Sequence, residues 1–319
     1  MKWNLFSYQL KFRYPFKIAH TLRCETDALF FRLSANQGTH WGEAVFPPYI
    51  GQNRDEFIDF FSKLKVPDNF ETAPELHDYL KRLKVQYPDF KAGIAGFDIA
   101  LHQYLAAKQG VSLSKLMGLT DASKESSLTI GICTKSEMKD RVEQSENKGY
   151  FKLKVDQDCA FEMVENFRSV SDRAFVIDAN QGFTNREQAL SFARYLKALG
   201  VAYLEQPFNK TDLVSHRWLK AQKVLPIIAD ESFQGLRDVA RLIGSFDGIN
   251  VKLSKCGGLV EASQSLQEAK SLSMKTVLGC MSESSVAINA AKSLTVLADF
   301  IDLDGPQLIV NDPDLSQFG

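Results

Sequence analysis

Lys154, Asp178, Glu205, Asp230 and Lys252 stand 24, 27, 25 and 22 residues apart, each near the end of a short apolar run: FKLKV, FVIDAN, AYLEQP, IIADES and INVKLS. Three carboxylates drawn together without a cation oppose one another's ionisation. A hard divalent cation relieves that conflict, and an all-oxygen set suits magnesium, which keeps positions for substrate or water. Any one of these acids alone is read as well as a helix cap; three on successive units at one depth favour a shared ion. Lysines flank the trio in chain order, Lys152 and Lys154 before Asp178 and Lys252 after Asp230. Two ammonium groups reaching a ligand from either side suit proton transfer at carbon. One removes a proton and the other delivers one, while the cation holds the enolate oxygen. A free lysine is too basic for this near neutral pH, so Lys152 is expected to assist Lys154 electrostatically.

The elements that must carry these residues follow from alternation. In FKLKV, Phe151, Leu153 and Val155 share one face and Lys152 and Lys154 the other; INVKLS repeats this with Ile249, Val251 and Leu253 against Asn250, Lys252 and Ser254. A solvated sheet face is the bland reading of the paired lysines, and the repeat in INVKLS favours a shared interior instead. From Leu128 onward eight such runs, from LTIGI to KTVLGC and FIDLD, alternate with helix-like stretches such as DCAFEMVENFRSVS and NREQALSFARYLKALG. That alternation implies a parallel sheet, and eight strands imply a closed barrel whose functional groups gather at the strands' C-terminal ends. A doubly wound open sheet is the alternative, but neither G-x-G-x-x-G nor G-x-x-x-x-G-K-[ST] is present. The expected fold is α/β, a (β/α)7β-type TIM barrel over 123–319 behind an N-terminal α+β capping domain over 1–122. Within the cap, DALFFRLSA (Asp27 to Ala35) reads as a strand before a turn at Asn36-Gln37-Gly38. NRDEFIDFFSKLK reads as a helix capped by Asn53, and Phe90 to Lys108 as a longer helix closed by Gly110.

The chain has 319 residues, 45% hydrophobic and 24% charged, with a formal net charge of −1. These values are those of a globular protein, with no charge block that would favour nucleic acid or an anionic membrane. The first residues, MKWNLFSYQLKFRYPF, lack an apolar signal segment, and no 18-residue apolar run follows. The five cysteines lack zinc spacing and the five histidines form no ligand pair, so reduced thiols, a cytoplasmic location and no zinc site are expected.

KLK at 152–154, DANQGF at 178–183, EQP at 205–207, DES at 230–232 and VKLSKCGG at 251–258, in that order, resemble the enolase superfamily in its muconate-lactonising subgroup. HWGEA at 40–44 and the stretch from Gly93 to Gly118 resemble that family's capping domain, so the likeness spans nearly the whole chain. A lysine or histidine base working with magnesium is a known property of the superfamily. The resemblance therefore implies an isomerase with one Mg2+ per subunit on Asp178, Glu205 and Asp230. Lys154 and Lys252 would be its acid/base pair and Lys152 an electrostatic partner. Many barrels of the family assemble as symmetric homo-oligomers.

Four chemistries share this layout: muconate-type cycloisomerases, o-succinylbenzoate synthases, N-acylamino acid racemases and dipeptide epimerases. Asp302 and Asp304 in FIDLDGP resemble the Asp-x-Asp with which dipeptide epimerases bind the substrate's α-ammonium. A turn before Gly305-Pro306 is the bland alternative. GCMSES at 279–284 resembles the epimerase form of the preceding strand and loop, which puts Cys280 and Met281 at the substrate. Pro15 to Asp27 corresponds to a mobile loop covering the substrate. Epimerases selective for a C-terminal glutamate carry an arginine four residues after a Pro-Phe-Lys; here that place is Thr21, with Arg23 two residues on. The departure counts against Ala-Glu and favours a small or apolar second residue, as in Ala-Ala or Ala-Val. The expected function is a magnesium-dependent dipeptide epimerase, inverting an α-carbon by two-lysine 1,1-proton transfer through a metal-stabilised enediolate. Its partner is a small-molecule dipeptide, with neither nucleic acid nor membrane. The other three reactions are the enzymatic alternatives, and a catalytically silent barrel acting as a binding protein is the non-enzymatic one. The extreme C-terminus is expected to pack back on the cap.

Overall fold

The computed structural model describes residues 1–48, 51–146 and 149–318. Its first 45 residues form an antiparallel sheet in which β1 (Lys2–Ile18) pairs with β2 (Thr21–Ala35) and β2 with β3 (Gly38–Val45). Both faces of β2 are covered, which explains its run of large apolar residues. Leu29, Phe31 and Leu33 pack on the cap helices, while Ala28 and Phe30 join Leu10, Met281 and Ile309 on the other side.

Three helices back the sheet. Helix α1 (Arg54–Lys63) is capped by the Asn53 side chain, which accepts from the main-chain N–H of Asp55 and Glu56. Helix α2 (Ala73–Gln86) follows, and α3 (Lys91–Gln109) ends at Gly110 with φ 65°. Along most of its length α3 is buried on every side, being clasped between sheet and barrel. A Cβ at Gly42 would lie 1.9 Å from the carbonyl oxygen of Gly96, so glycine lets β3 and α3 touch backbone to backbone.

The barrel strands are β4 (Leu128–Ile130), β5 (Phe151–Lys154), β6 (Phe175–Asp178), β7 (Leu204–Glu205), β8 (Ile227–Ala229), β9 (Gly248–Val251), β10 (Lys275–Gly279) and β11 (Phe300–Asp302). They neighbour one another in chain order, all parallel. The ring is drawn together where the Ser127 N–H donates to the Ile301 carbonyl at 2.9 Å. Phe151, Leu153, Ile177, Leu204 and Val251 point outward into the helix layer. Val176, Tyr203 and Ile228 fill the interior two residues before Asp178, Glu205 and Asp230, so the acids form the next layer up, at the rim.

The segment from Pro15 to Asp27, expected as a loop, is strand on both sides of a tip at Ala19–His20. Phe16 pairs with Arg23, Lys17 with Leu22 and Ile18 with Thr21, after a register shift between Lys11 and Phe16. The tip is held over the barrel by the Ile132 N–H, which donates to the Lys17 carbonyl at 2.9 Å. Residues beyond the barrel return to the first sheet. The Lys11 N–H donates to Asn311 Oδ1 at 2.7 Å, and the Phe318 ring packs among Phe6, Tyr8, Phe30 and Trp41. Among the described residues no helix is long and apolar enough to cross a membrane.

Candidate active site

Lys154, Asp178 and Glu205 end their strands, and Asp230 and Lys252 directly follow theirs, so all five reach the same rim. In a ring of eight, β5 and β9 are four places apart. Lys154 and Lys252 therefore come from opposite walls, with the acids on the three strands between them. One oxygen each from Asp178, Glu205 and Asp230 lies within 4.8 Å of the others, and all three residues are buried.

Ammonium groups close on these acids. Lys154 Nζ is 2.6 Å from Asp178 Oδ2, and Lys252 Nζ is 2.7 Å from Asp230 Oδ2. Lys152, 1% exposed, lies 2.8 Å from Asp302 Oδ2, 2.9 Å from Glu205 Oε2 and 3.1 Å from Asp178 Oδ2. Burial opposes the Lys152 charge, but Asp302, Glu205 and Asp178 overcome it and hold its pKa well above the ordinary lysine value. It is an interior cation held among Asp302, Glu205 and Asp178.

The acids divide. Burial works against ionised Asp178, yet Lys154 and Lys152 hold its pKa below the usual carboxylate range. Asp230 is depressed in the same way by Lys252 and Lys255. Glu205 moves the other way, pushed up to about 8 by burial and then by Asp178. Its Oε2, though close to Lys152, is out of line for a hydrogen bond and has no hydrogen-bond partner. Three buried oxygen donors in one cluster, one of them lacking a donor, fit a magnesium ion.

The main chain around the acids is constrained. Asn180, Gln181 and Gln206, just past Asp178 and Glu205, have φ of 41°, 67° and 39°, a region that costs a side-chain-bearing residue energy. Gln206 accounts for part of that cost. Its Oε1 accepts from the N–H groups of Asp230 at 2.9 Å and Ser232 at 3.1 Å, so the loop after β7 sets the acid after β8. Asn250 donates from Nδ2 to Glu205 Oε1 at 2.8 Å.

Above the acids is a cavity of about 180 Å³. Lys154, Lys252, Asp230, Asp302 and Asp304 line it from the barrel, with Cys280 and Met281 beside them. Thr21 and Arg23 line it from the hairpin, on one face of β2, while Leu22 between them is 64% exposed. Lys152, Asp178 and Glu205 do not line it. Asp302 has both oxygens engaged, Oδ1 by Ser127 Oγ at 2.7 Å and Oδ2 by Lys152. Asp304 lies beyond the strand and opens a short helix, Gly305–Leu308. Its Oδ2 accepts from the Thr129 N–H at 2.5 Å, and Oδ1 lies 4.0 Å from the Cys280 thiol. Burial, then Asp302, pushes Asp304 up to about 6. The Cys280 thiol is raised well above its usual range by burial and by Asp304, which makes it an apolar wall and not a nucleophile.

Sequence reasoning missed Gln206, Ser127, Thr129 and Lys255. Lys255 sits inside the VKLSKCGG motif, the one signal that could have marked it.

The family model for enolase C-terminal domain-like proteins matches residues 137–304. An L-Ala-D/L-Glu epimerase of Bacteroides thetaiotaomicron is 38% identical over 98% of this chain and 82% of its own length. An L-Ala-D/L-amino acid epimerase of Flavobacterium johnsoniae is 32% identical over 98% and 93%. The crystal structure of a dipeptide epimerase from Methylococcus capsulatus, complexed with Mg and the dipeptide L-Arg-D-Lys, superposes with a TM-score of 0.87 at 25% identity, over 98% of this chain and 92% of that one. A matching barrel, a full-length relation to named epimerases and an acid–lysine rim on successive strands together make this chain a member of the enolase superfamily and an isomerase.

Proposed function

We propose that this chain is a magnesium-dependent dipeptide epimerase that inverts an α-carbon by proton transfer between two lysines. The observation that carries the reading is the placement of Lys154 and Lys252 on opposite walls of one cavity, with acids on the strands between and Asp304 facing them. Magnesium, when bound by Asp178, Glu205 and Asp230, supplies positive charge to offset what builds on the substrate carboxylate as its α-proton leaves. A dipeptide with its carboxylate toward the acid wall points its ammonium toward β11, four strands away. Lys154 and Lys252 then meet opposite faces of the α-carbon, one removing a proton and the other returning one. Asp304 is the better ammonium acceptor, because Asp302 is committed to Ser127 and Lys152. The hairpin over the cavity excludes water from the exchange.

Arg23 changes the reading of the second residue. It lines the cavity on the same face as Thr21, its guanidinium 5.3 Å from the Phe12 ring centroid, so an acidic second side chain is favoured over a small or apolar one. The name of the Bacteroides relative agrees with that preference.

The deciding experiment is incubation with magnesium and a dipeptide library in deuterated water, read by mass, with N-acylamino acids and a muconate included. Deuterium uptake into Ala-Xaa dipeptides is expected, Ala-Glu ahead of Ala-Val. Uptake into none of the dipeptides would sink the proposal.

A further inference from the structure

Asp230 is met by two lysines, and they are not equivalent. Lys252 reaches Oδ2 at 2.7 Å and lines the substrate cavity. Lys255 Nζ donates to Asp230 Oδ1 at 2.5 Å, to the Asp230 carbonyl at 2.7 Å and to the Asn250 carbonyl at 2.9 Å. An ammonium has three donors, and these three acceptors take them all. Lys255 is 5% exposed, and its nitrogen also sits 5.3 Å from the Phe233 ring centroid.

The backbone carrying Lys255 is fixed from the cap. Lys255 lies in the short helix Leu253–Cys256, which ends at Gly257 and Gly258 with φ of 71° and 121°. A Cβ at Gly258 would come within 2.2 Å of the Asp98 carboxyl carbon, and Asp98 Oδ1 accepts from the Leu259 N–H at 3.0 Å. Lys255 is thus tied by two main-chain carbonyls at its head and by α3 at its base. Lys252 holds Asp230 by one longer contact, 2.7 Å, and lines the cavity.

We propose that Lys255 is the positioning residue of Asp230. It pins one carboxylate oxygen and the carbonyl of the same residue, so the other oxygen is presented to the acidic trio. It also gives Asp230 a counter-charge that stays in place when Lys252 turns to the substrate. Lys152 stands in the same relation to Lys154: it shares Asp178 with Lys154 and is anchored by Asp302. Each proton-carrying lysine is therefore paired with one that never leaves. This inference rests on the magnesium reading above but not on the choice of substrate.

The sign of the effect separates positioning from bulk charge. A fixed ammonium near a bound cation repels it, so if charge alone mattered, removing Lys255 would tighten magnesium binding. If positioning matters, removal loosens it, by roughly ten- to a hundredfold, as is usual when a residue orienting a ligand is lost. The test is calorimetric Mg2+ titration of the wild-type protein, Lys255→Met and Lys255→Gln, with thermal melting by circular dichroism as a check on folding. Lys255→Met is expected to weaken Mg2+ at least tenfold. Lys255→Gln, which keeps an N–H donor without the charge, is expected to fall between it and wild type. Equal or tighter binding in a variant that melts cooperatively overturns the proposal. Should Lys255→Met not fold, Lys255→Gln decides alone: weaker binding supports the proposal, unchanged or tighter binding overturns it. A wild-type protein that binds no Mg2+ overturns the metal reading as well, a result distinct from failure in the variants alone.

Discussion

Lys152 Nζ lies 2.8 Å from Asp302 Oδ2, an ion pair that joins the second and eighth barrel strands across the interior. Lys152→Met takes this ammonium from Asp302 and leaves Asp178 to Lys154 alone. Breaking such a pair costs about 3–5 kcal/mol. Urea unfolding checks this, and a loss under about 1 kcal/mol would show that the acids find another partner.

Lys154→Ala and Lys252→Ala remove groups at the cavity edge. Each is expected to lower kcat by about 10²–10⁴-fold, the range for loss of a positioned acid or base, with the melting temperature changed far less than by Lys152→Met. Near-normal turnover in either variant would refute the two-lysine scheme.

Asp304, raised to about 6, must be ionised to hold an ammonium. KM for a dipeptide is expected to fall as pH rises through about 6. It should rise again near the substrate's own amine pKa, about 8. Asp304→Asn is expected to raise KM roughly tenfold and remove the lower limb while leaving Mg2+ affinity nearly unchanged. Equal losses of dipeptide and Mg2+ binding would count against an ammonium-binding role. Asp302→Asn is expected to act mainly on stability, through Lys152.

Glu43 on β3 accepts from the Ser284 N–H at 2.8 Å and the Ala287 N–H at 3.0 Å, and so joins the cap to the helix Ser285–Ala291. Burial nevertheless lifts it from 4.5 to about 7 against those bonds. Between these values the folded state binds the proton that the unfolded chain has released. Stability therefore falls as pH rises across that window and is level above it, by about 3 kcal/mol in all. Glu43→Gln should remove this slope. Urea midpoints at pH 5 and pH 8 for both proteins measure it, and parallel slopes would refute the assignment.

Added Mg2+ is expected to raise the melting temperature and chelation to lower it. Saturation at a hundredfold excess over Kd corresponds to about 2.7 kcal/mol. The shift should vanish in Glu205→Gln, whose unpartnered oxygen is part of the donor set. A full shift in that variant would place the ion elsewhere.

Much of this architecture was legible from sequence because inward and outward residues alternate on every barrel strand. FKLKV and INVKLS announced their inward lysines, and the single acid at each strand end marked the rim. What alternation cannot express was lost. Lys255 is three residues from Lys252, already on a helix, where a period of two no longer applies. Gln206 works through a backbone with φ of 39°, which no side-chain pattern reveals. The partnership of Lys152 with Asp302 depends on strand register around a ring, whereas sequence offered only Asp302 and Asp304 as a substrate-binding pair. Pro15 to Asp27 reads as a loop from the family resemblance, and its strand pairing lies beyond a register shift between Lys11 and Phe16.

Phe318 packs on Phe6, Tyr8, Phe30 and Trp41, and Ile309 bridges Phe12, so part of the first sheet is covered by residues translated some three hundred positions later. Until Phe318 is made, that aromatic face of β1 and β2 would lack its cover. Contacts of such long range are slow to form, and unpaired apolar strands are the usual seeds of aggregation. Soluble yield is therefore expected to fall in Phe318→Ala out of proportion to that ring's share of the folded core, and an unchanged yield would argue against it.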